Sequence, residues 1–260
     1  MIQLEYLKKF FPGYLIESPS HQKYIVKEYL QLLILDYLAT TPFIRKIAFI
    51  GGTNLRLTKG IDRFSEDLDF DCKDFSKEEF LAMTDGIVAF LHRFGFKVET
   101  RDKATEKLKS YRRNLYFPEL LFNLGLSGYR NERFLIKVEI QDQRFDYKQI
   151  MVPIKGCGFY FQIPVPADEI ICAMKVSALI SRQKGRDFYD TMFLMGQTTP
   201  DFGFLSLKNG VKNQEELKLA FQNVLSKVDL AHKAKDFEHL VFQKRSAKKT
   251  LLFNEFVNGL

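Results

Sequence analysis

The stretch Ile47-Ala48-Phe49-Ile50-Gly51-Gly52-Thr53, followed by Arg63-Phe64-Ser65-Glu66-Asp67-Leu68-Asp69-Phe70-Asp71, decides how the rest of the chain is read. Ile47 to Ile50 is an apolar run of strand type, Gly51-Gly52-Thr53 a glycine turn, and Asn54-Leu55-Arg56-Leu57 a helical turn. A strand that enters a helix through glycine offers backbone N–H groups, and here a hydroxyl, to phosphate oxygens. In the second segment Phe64, Leu68 and Phe70 alternate with polar residues, which is the period of a strand. That reading sends Ser65, Asp67, Asp69 and Asp71 out from one face. Neighbouring carboxylates repel, and two Mg²⁺ ions about 3.5–4 Å apart would relieve the repulsion and organise an in-line phosphoryl displacement. Alone, the glycine turn would be an ordinary turn and Asp-x-Asp a solvated strand edge. In this order and spacing they can meet around one triphosphate, which implies nucleotidyl transfer.

Composition sets the frame. The chain has 260 residues, enough for a sizeable core in one large domain or two small ones. Hydrophobic residues are 46% and charged residues 27%, which excludes a disordered chain. Trp is absent and Phe numbers 26, so the cores are expected to rest on Phe, Leu and Ile. Cys72, Cys157 and Cys172 form no Cys-x-x-Cys, and the four His are scattered, so no zinc set is present and a reducing, cytoplasmic setting is expected. Met1-Ile2-Gln3-Leu4 runs into Glu5, Lys8 and Lys9, which leaves no signal core. Asp36 stops the run Leu32–Leu35 far short of a membrane span, so the chain reads as soluble with no membrane partner. Net charge is +7. The excess concentrates in Arg101, Lys103, Lys107, Lys109, Arg112 and Arg113, against Asp102 and Glu106. That segment suits a polyanionic partner, and equally a solvated mobile loop.

Along the chain, Ile25, Tyr29, Leu32 and Leu33 keep helical spacing, and Leu30, Ile34 and Leu35 widen the apolar face. Pro42 ends that helix. Ser76 and Glu79 make a capping box for a helix to about Phe94, closed by Gly95. Lys97–Thr100, Asn114–Phe117 and Phe134–Ile140 read as strands, giving an α/β (α+β) sheet domain over residues 1–165. Pro164-Val165-Pro166 breaks the pattern, and Asp168 caps a helix to about Arg182. Further helices are expected at Asp187–Met195, Gln214–Val228 and Phe237–Asn258. Residues 166–260 thus read as a mainly helical C-terminal domain that completes the active-site cleft.

A two-metal site needs a third carboxylate. Glu139 is the candidate, because it sits in an apolar strand where an unpaired charge is costly, with Lys137 on the same face. The plainer reading is a surface Lys–Glu pair. Lys175, between Met174 and Val176, can hold a triphosphate oxygen as a point charge. Arg182 lies on roughly the same helix face. Asp187 and Asp190 share a face of the next helix, where either can orient a basic residue or serve as a cap.

With these residues on the page, the chain resembles the abortive-infection toxin nucleotidyltransferases of the AbiEii/AbiGii type, within the DNA polymerase β superfamily. The resemblance rests on Gly-Gly-Thr, Arg-x-Ser-Glu-Asp-Leu-Asp-Phe, Lys-Val-Glu, Glu-Ile-x-x-x-x-Lys and Arg-Asp-x-x-Asp, and spans about Ile47 to Asp190. It implies a polymerase-β-like fold, transfer of a nucleoside monophosphate from an NTP with Mg²⁺ or Mn²⁺, a tRNA or other RNA acceptor, and a cognate antitoxin partner. Carried over by position, Asp67, Asp69 and Glu139 would hold metal, and Gly51, Gly52, Thr53, Ser65, Lys175 and Arg182 the nucleotide. Lys137, Asp187 and Asp190 would support them, and Lys109, Arg112 and Arg113 would face the RNA. Many superfamily members have Asp where Glu139 stands. Two other readings stay open: a transferase modifying a small molecule or a protein, and an inactive binding or regulatory protein on the same fold.

Overall fold

The computed structural model describes residues 3–101 and 110–260. Its chain divides into two units, Met1–Gly60 with Phe64–Arg144 and Gln149–Val165, and Ile61–Arg63 with Phe145–Lys148 and Pro166–Leu260.

The first unit opens with short helices α1 (Leu4–Lys8) and α2 (Gly13–Ile16) and the long α3 (Pro19–Ala39). Helix α3 is apolar around its circumference, with Ile25, Val26, Leu30, Leu32, Leu33, Ile34, Leu35 and Leu38 all buried, as befits a core helix. Strand β1 (Ile47–Ile50) leads into α4 (Gly51–Lys59), which Gly60 closes in the left-handed region at φ 69. Next come β2 (Leu68–Cys72), α5 (Lys77–Arg93), β3 (Glu99–Arg101), β4 (Tyr111–Tyr116), α6 (Leu120–Asn123) and β5 (Leu135–Gln141). The five strands form a mixed sheet in the order β1-β2-β5-β4-β3, in which only β2 and β5 run parallel. In β5 the alternation is strict. Ile136, Val138 and Ile140 are buried, each contributing about 1.5–3 kcal/mol by leaving water, while Leu135, Lys137, Glu139 and Gln141 lie on the opposite, half-buried face. That alternation puts Lys137 and Glu139 on one side. A separate ribbon pairs β6 (Gln149–Gly156) with β7 (Phe159–Pro166).

The second unit contains α7 (Asp168–Arg182), α8 (Gly185–Met195), α9 (Phe202–Asn209), α10 (Gln214–Leu225), α11 (Leu230–Asp236), α12 (Lys244–Ala247), a 3-10 turn (Lys248–Leu252) and α13 (Phe253–Asn258). Its core is built on Phe. Phe253 meets Phe188 and Phe221 edge to face, with ring centroids 5.0 and 5.3 Å apart.

Four expectations need correction. Pro164 and Pro166 do not break the pattern, because β7 runs through both. A two-stranded ribbon leaves one side of each strand unbonded, and prolines spaced by two can turn their missing donors to that side. Asp168 is the first residue of α7 rather than its cap, which is Ala167. Strand β2 begins only at Leu68, so Ser65 and Asp67 come from the link before it. The single helix expected over Phe237–Asn258 is several elements. Val241 bridges to Arg63, and Phe242 N–H donates to the Asp62 carbonyl at 3.0 Å, so this segment is drawn out before α12 starts.

Candidate active site

Gly51 ties the glycine turn to the aspartates. It stands at φ 83, in the left-handed region, and a Cβ there would lie 2.3 Å from Asp69 Oδ2. Only glycine lets the start of α4 and the Asp69 carboxylate come this close. The sheet register then sets Asp69 between Ile50 of β1 and Glu139 of β5, and Glu139 beside Arg112 of β4. Gly52 and Thr53 follow in the first helical turn, where backbone N–H groups lack intrahelical partners.

Thr53 is buried, and its hydroxyl donates to the Asp67 backbone carbonyl. The hydroxyl assigned to phosphate from sequence therefore fixes the aspartate link in this structure. Gln31 of α3 reinforces the arrangement by donating to the Ser65 carbonyl at 3.1 Å and to Thr53 Oγ1 at 3.5 Å. Nothing in the sequence around Gln31 marks it, apart from being a polar residue inside an apolar helix. Asp71, on the same strand as Asp69, is buried and structural. Its Oδ1 accepts from the N–H groups of Cys72 and Gln143, both at 2.8 Å.

Lys137 lies among the carboxylates, its Nζ 3.0 Å from Asp67 Oδ2 and 3.3 Å from Glu139 Oε2. Burial alone would lower its pKa, but the charges of Asp67, Asp69 and Glu139 outweigh that and raise it. Arg112 also reaches Glu139, with Nε 2.9 Å and Nη2 2.8 Å from Oε2. Among the described residues no three His, Cys, Asp or Glu side chains converge as a metal cluster. The donor chemistry nevertheless fits a hard divalent cation, because carboxylate oxygens of Asp67 and Glu139 already converge on one positive charge, the Lys137 ammonium.

In the second unit, Asp190 is the centre of a buried ion set. Arg63 grips it with two bonds, Nε to Oδ1 at 2.7 Å and Nη2 to Oδ2 at 2.6 Å, and Lys175 Nζ approaches Oδ2 at 2.8 Å. Arg63 and Asp190 are 0% exposed and Lys175 is 7% exposed. Burial would raise the Asp190 carboxyl, yet Arg63 and then Lys175 hold it well below the usual carboxylate range. Burial lowers the Lys175 pKa, with Asp190 opposing. Arg63, like Gln31, is a residue that sequence reasoning missed. Its partner lies 127 positions away, and no local signal joins them. Asp187 does not join Lys175: it takes Arg182, with bonds of 2.9 and 2.7 Å.

Of the basic residues assigned to RNA, Lys109 lies outside the described residues, as do Lys103 and Lys107. Arg113 is buried and donates to Thr84 at 2.8 Å and to Asp85, so it is not a surface contact. Arg112 is exposed on the sheet. No described helix is long and apolar enough to cross a membrane.

Against known proteins, a model of the AbiEii toxin nucleotidyl transferase family, from type IV toxin–antitoxin systems, matches residues 33–245. No curated protein matches the chain. The fold is similar to that of MenT4, a nucleotidyltransferase toxin from Mycobacterium tuberculosis H37Rv, at TM-score 0.62 and 16% identity over 100% of this chain and 91% of that one. It is also similar to JHP933 from Helicobacter pylori, at TM-score 0.55 and 19% identity over 91% and 92% of the two chains. The family generally takes an NTP and a divalent metal, and implies an antitoxin partner. Most of the chain is covered by that one match, and so the protein belongs to the AbiEii nucleotidyltransferase toxin family.

Proposed function

We propose that this nucleotidyltransferase moves a nucleoside monophosphate from an NTP to a hydroxyl of tRNA or another RNA, in the cytoplasm, as the toxin of a phage-defence pair. The observation that carries the reading is the approach of Gly51 to Asp69, with Glu139 next to Asp69 in register. A helix start that can face phosphate is thereby joined to a carboxylate pair across the parallel strands β2 and β5. Three free, buried cysteines support a reducing compartment.

In this reading Asp67, Asp69 and Glu139 hold Mg²⁺, which when bound would neutralise charge on the triphosphate and on the attacking oxygen. The backbone N–H groups of Gly51 and Gly52 take phosphate oxygens, and Thr53 with Gln31 keeps the Asp67 link in place. Ser65 belongs to that same link. The acceptor oxygen bonds to the α-phosphorus as the α–β bridging bond breaks, and pyrophosphate leaves. Glu139 takes the hydroxyl proton. Lys175 contributes a nucleotide contact, with Asp190 and Arg63 fixing its ammonium. Arg182 contributes another, with Asp187 behind it. Arg112 remains the described residue assigned to the acceptor.

The test is to incubate purified protein with Mg²⁺, each α-labelled NTP in turn and total bacterial RNA. Label should appear in RNA, in the tRNA fraction, with one NTP preferred. Label on a small molecule or a protein, with none on RNA, would replace the acceptor assignment. Near-normal transfer by folded Asp69→Asn protein would remove the carboxylates from the chemistry, since losing such a group should cost about 10²-fold or more.

A further inference from the structure

The second unit carries a group of cations with no carboxylate partner among the described residues. Lys233 and Lys235 on α11, Lys244 and Arg245 on α12, and Lys248 and Lys249 on the 3-10 turn fall within one short stretch. The only carboxylates in that stretch are Asp236 and Glu238. Asp236 is already engaged, accepting from Gly185 N–H at 3.1 Å. Several basic residues elsewhere are ion-paired, as Lys23 is to Glu132, Lys46 to Glu79 and Arg56 to Glu28. Among the described residues none of these six cations is ion-paired. Lys249 lies over the Tyr189 ring at 5.9 Å, and Arg245 donates to Gln243 at 2.7 Å.

The elements that carry them pack together. Helix α11 packs on α8 and on the 3-10 turn, and the turn packs on α12. Ala234, Phe237, Leu240, Val241, Ala247 and Thr250 point inward and are buried, while Lys235, Lys244, Arg245, Lys248 and Lys249 are exposed. A helix C-terminus accounts for Lys233 and Lys235, whose charges complement the dipole. Helix α12 is a single four-residue turn, too short for its dipole to account for Lys244 and Arg245. Lys244, Arg245 and Lys248 are thus brought together, mutually repelling, with no carboxylate among the described residues to neutralise them.

We propose that this strip binds the phosphate backbone of the acceptor RNA, an inference that rests on the RNA reading of the function. Lysine is depleted at protein interfaces and enriched where phosphates are neutralised, which favours RNA over an acidic protein. Leu251 and Leu252 are exposed beside the strip, and within it the exposed ring is the imidazole of His239, with no exposed Phe or Tyr to stack on a base. Contact is thus with phosphate, indifferent to base sequence, and suited to a paired stem.

The experiment is fluorescence anisotropy with labelled bacterial tRNA, titrated across salt without NTP. The parent is compared with a K235Q/K244Q/K248Q variant and with a K9Q/K77Q/K155Q control that removes equal charge from the first unit. Each lost phosphate contact lowers the salt slope by about 0.7–0.9, so three lower it by roughly 2.1–2.7. Between 50 and 200 mM salt the parent should lose about 18- to 42-fold more affinity than the strip variant, with the control behaving as the parent. If the parent binds and labels tRNA and both variants match it, the strip is overturned while the RNA reading stands. Equal weakening of strip variant and control reduces the effect to net charge and also overturns the strip. If the parent binds no tRNA, both the strip and the RNA reading fall, and an acidic protein partner takes the cations instead. Melting curves that match the parent exclude misfolding as the cause.

Discussion

Replacing Asp190 by Ala should damage the fold before it damages any chemistry. The carboxylate is 0% exposed and is the shared partner of Arg63 and Lys175, at 2.6 and 2.8 Å. Removing it leaves a guanidinium and an ammonium buried together without an anion. Breaking a buried pair by removing one partner costs about 3–5 kcal/mol. Two stranded cations put Asp190→Ala at the upper end of that range, against a total stability of about 5–15 kcal/mol. At roughly 2–4 °C per kcal/mol for a chain of this size, melting should fall by about 10–20 °C. Differential scanning calorimetry would measure it, with urea unfolding as a second readout. The triple variant Arg63→Met, Lys175→Met, Asp190→Leu should recover much of the loss and stay inactive, because apolar replacement of a buried ion set is often neutral or stabilising. Acid should spare the parent set. Its contribution is present above the ordinary Asp value of about 3.9 and is lost only as pH falls through the depressed folded value. An Asp190→Ala protein that melts within about 2 °C of the parent would refute the reasoning, since a shift that small is under about 1 kcal/mol.

Gly51→Ala forces a Cβ to 2.3 Å from Asp69 Oδ2 at φ 83, so transfer should fall by about 10²-fold while the sheet remains folded; unchanged transfer would detach Asp69 from the turn. Lys137→Met removes the cation between Asp67 and Glu139, so the metal-free protein should melt lower and gain more on adding Mg²⁺ than the parent gains. Equal gains in a thermal-shift titration would mean that Lys137 and metal do not share those oxygens. Burial pushes the thiols of Cys72, Cys157 and Cys172 up to about 12, so a thiol reagent at pH 8 should label none in the native protein and all three in urea. The unfolded chain releases those protons first, so stability should decline as pH rises above about 8.5, the ordinary thiol value; a flat urea midpoint from pH 8 to 10 would contradict the burial of the thiols.

Some of this was legible in the chain because it is local. The Ser76–Glu79 capping box forms both of its bonds, at 2.9 and 3.1 Å, since a helix start is specified within four residues. The apolar run at Ile47, the paired glycines and the alternation at Leu68 likewise placed β1, α4 and β2. The β6–β7 ribbon also had a signal that went unread. Cys157 and Gly158 stand at φ 47 and 85, the two positive values of a tight hairpin turn, followed by alternating Phe159, Phe161 and Ile163. Helices α9 and α11 were not expected, although Asp201 and Asp229 cap them, their side chains accepting from Phe204 N–H at 2.7 Å and Ala231 N–H at 2.8 Å.

What no local reading reaches is the choice of charge partner. Asp190 stood out as an aspartate that could orient a basic residue, but its strongest partner is Arg63, from a different part of the chain. Glu139 was singled out because a charge in an apolar strand needs company, and it has two cations, Lys137 and Arg112. The same sequence logic that makes a buried carboxylate conspicuous thus leaves its counterion open, because any of several cations satisfies the electrostatics equally well on paper. Geometry decides among them. Lys137 follows from strand period, two residues before Glu139 on one face, and Arg112 from the antiparallel register of β4 against β5. Arg63 follows from neither. It depends on the chain between α4 and β2 entering the second unit as Ile61–Arg63, held there by the bridge to Val241 and the bonds of Asp62 to Tyr189 and Ser246. The anchoring of Asp62 and the ion pair of Arg63 are therefore one structural feature. Asp62→Ala should weaken the grip on Asp190 without touching any member of the ion set, and a melting loss additive with that of Arg63→Met would separate the two.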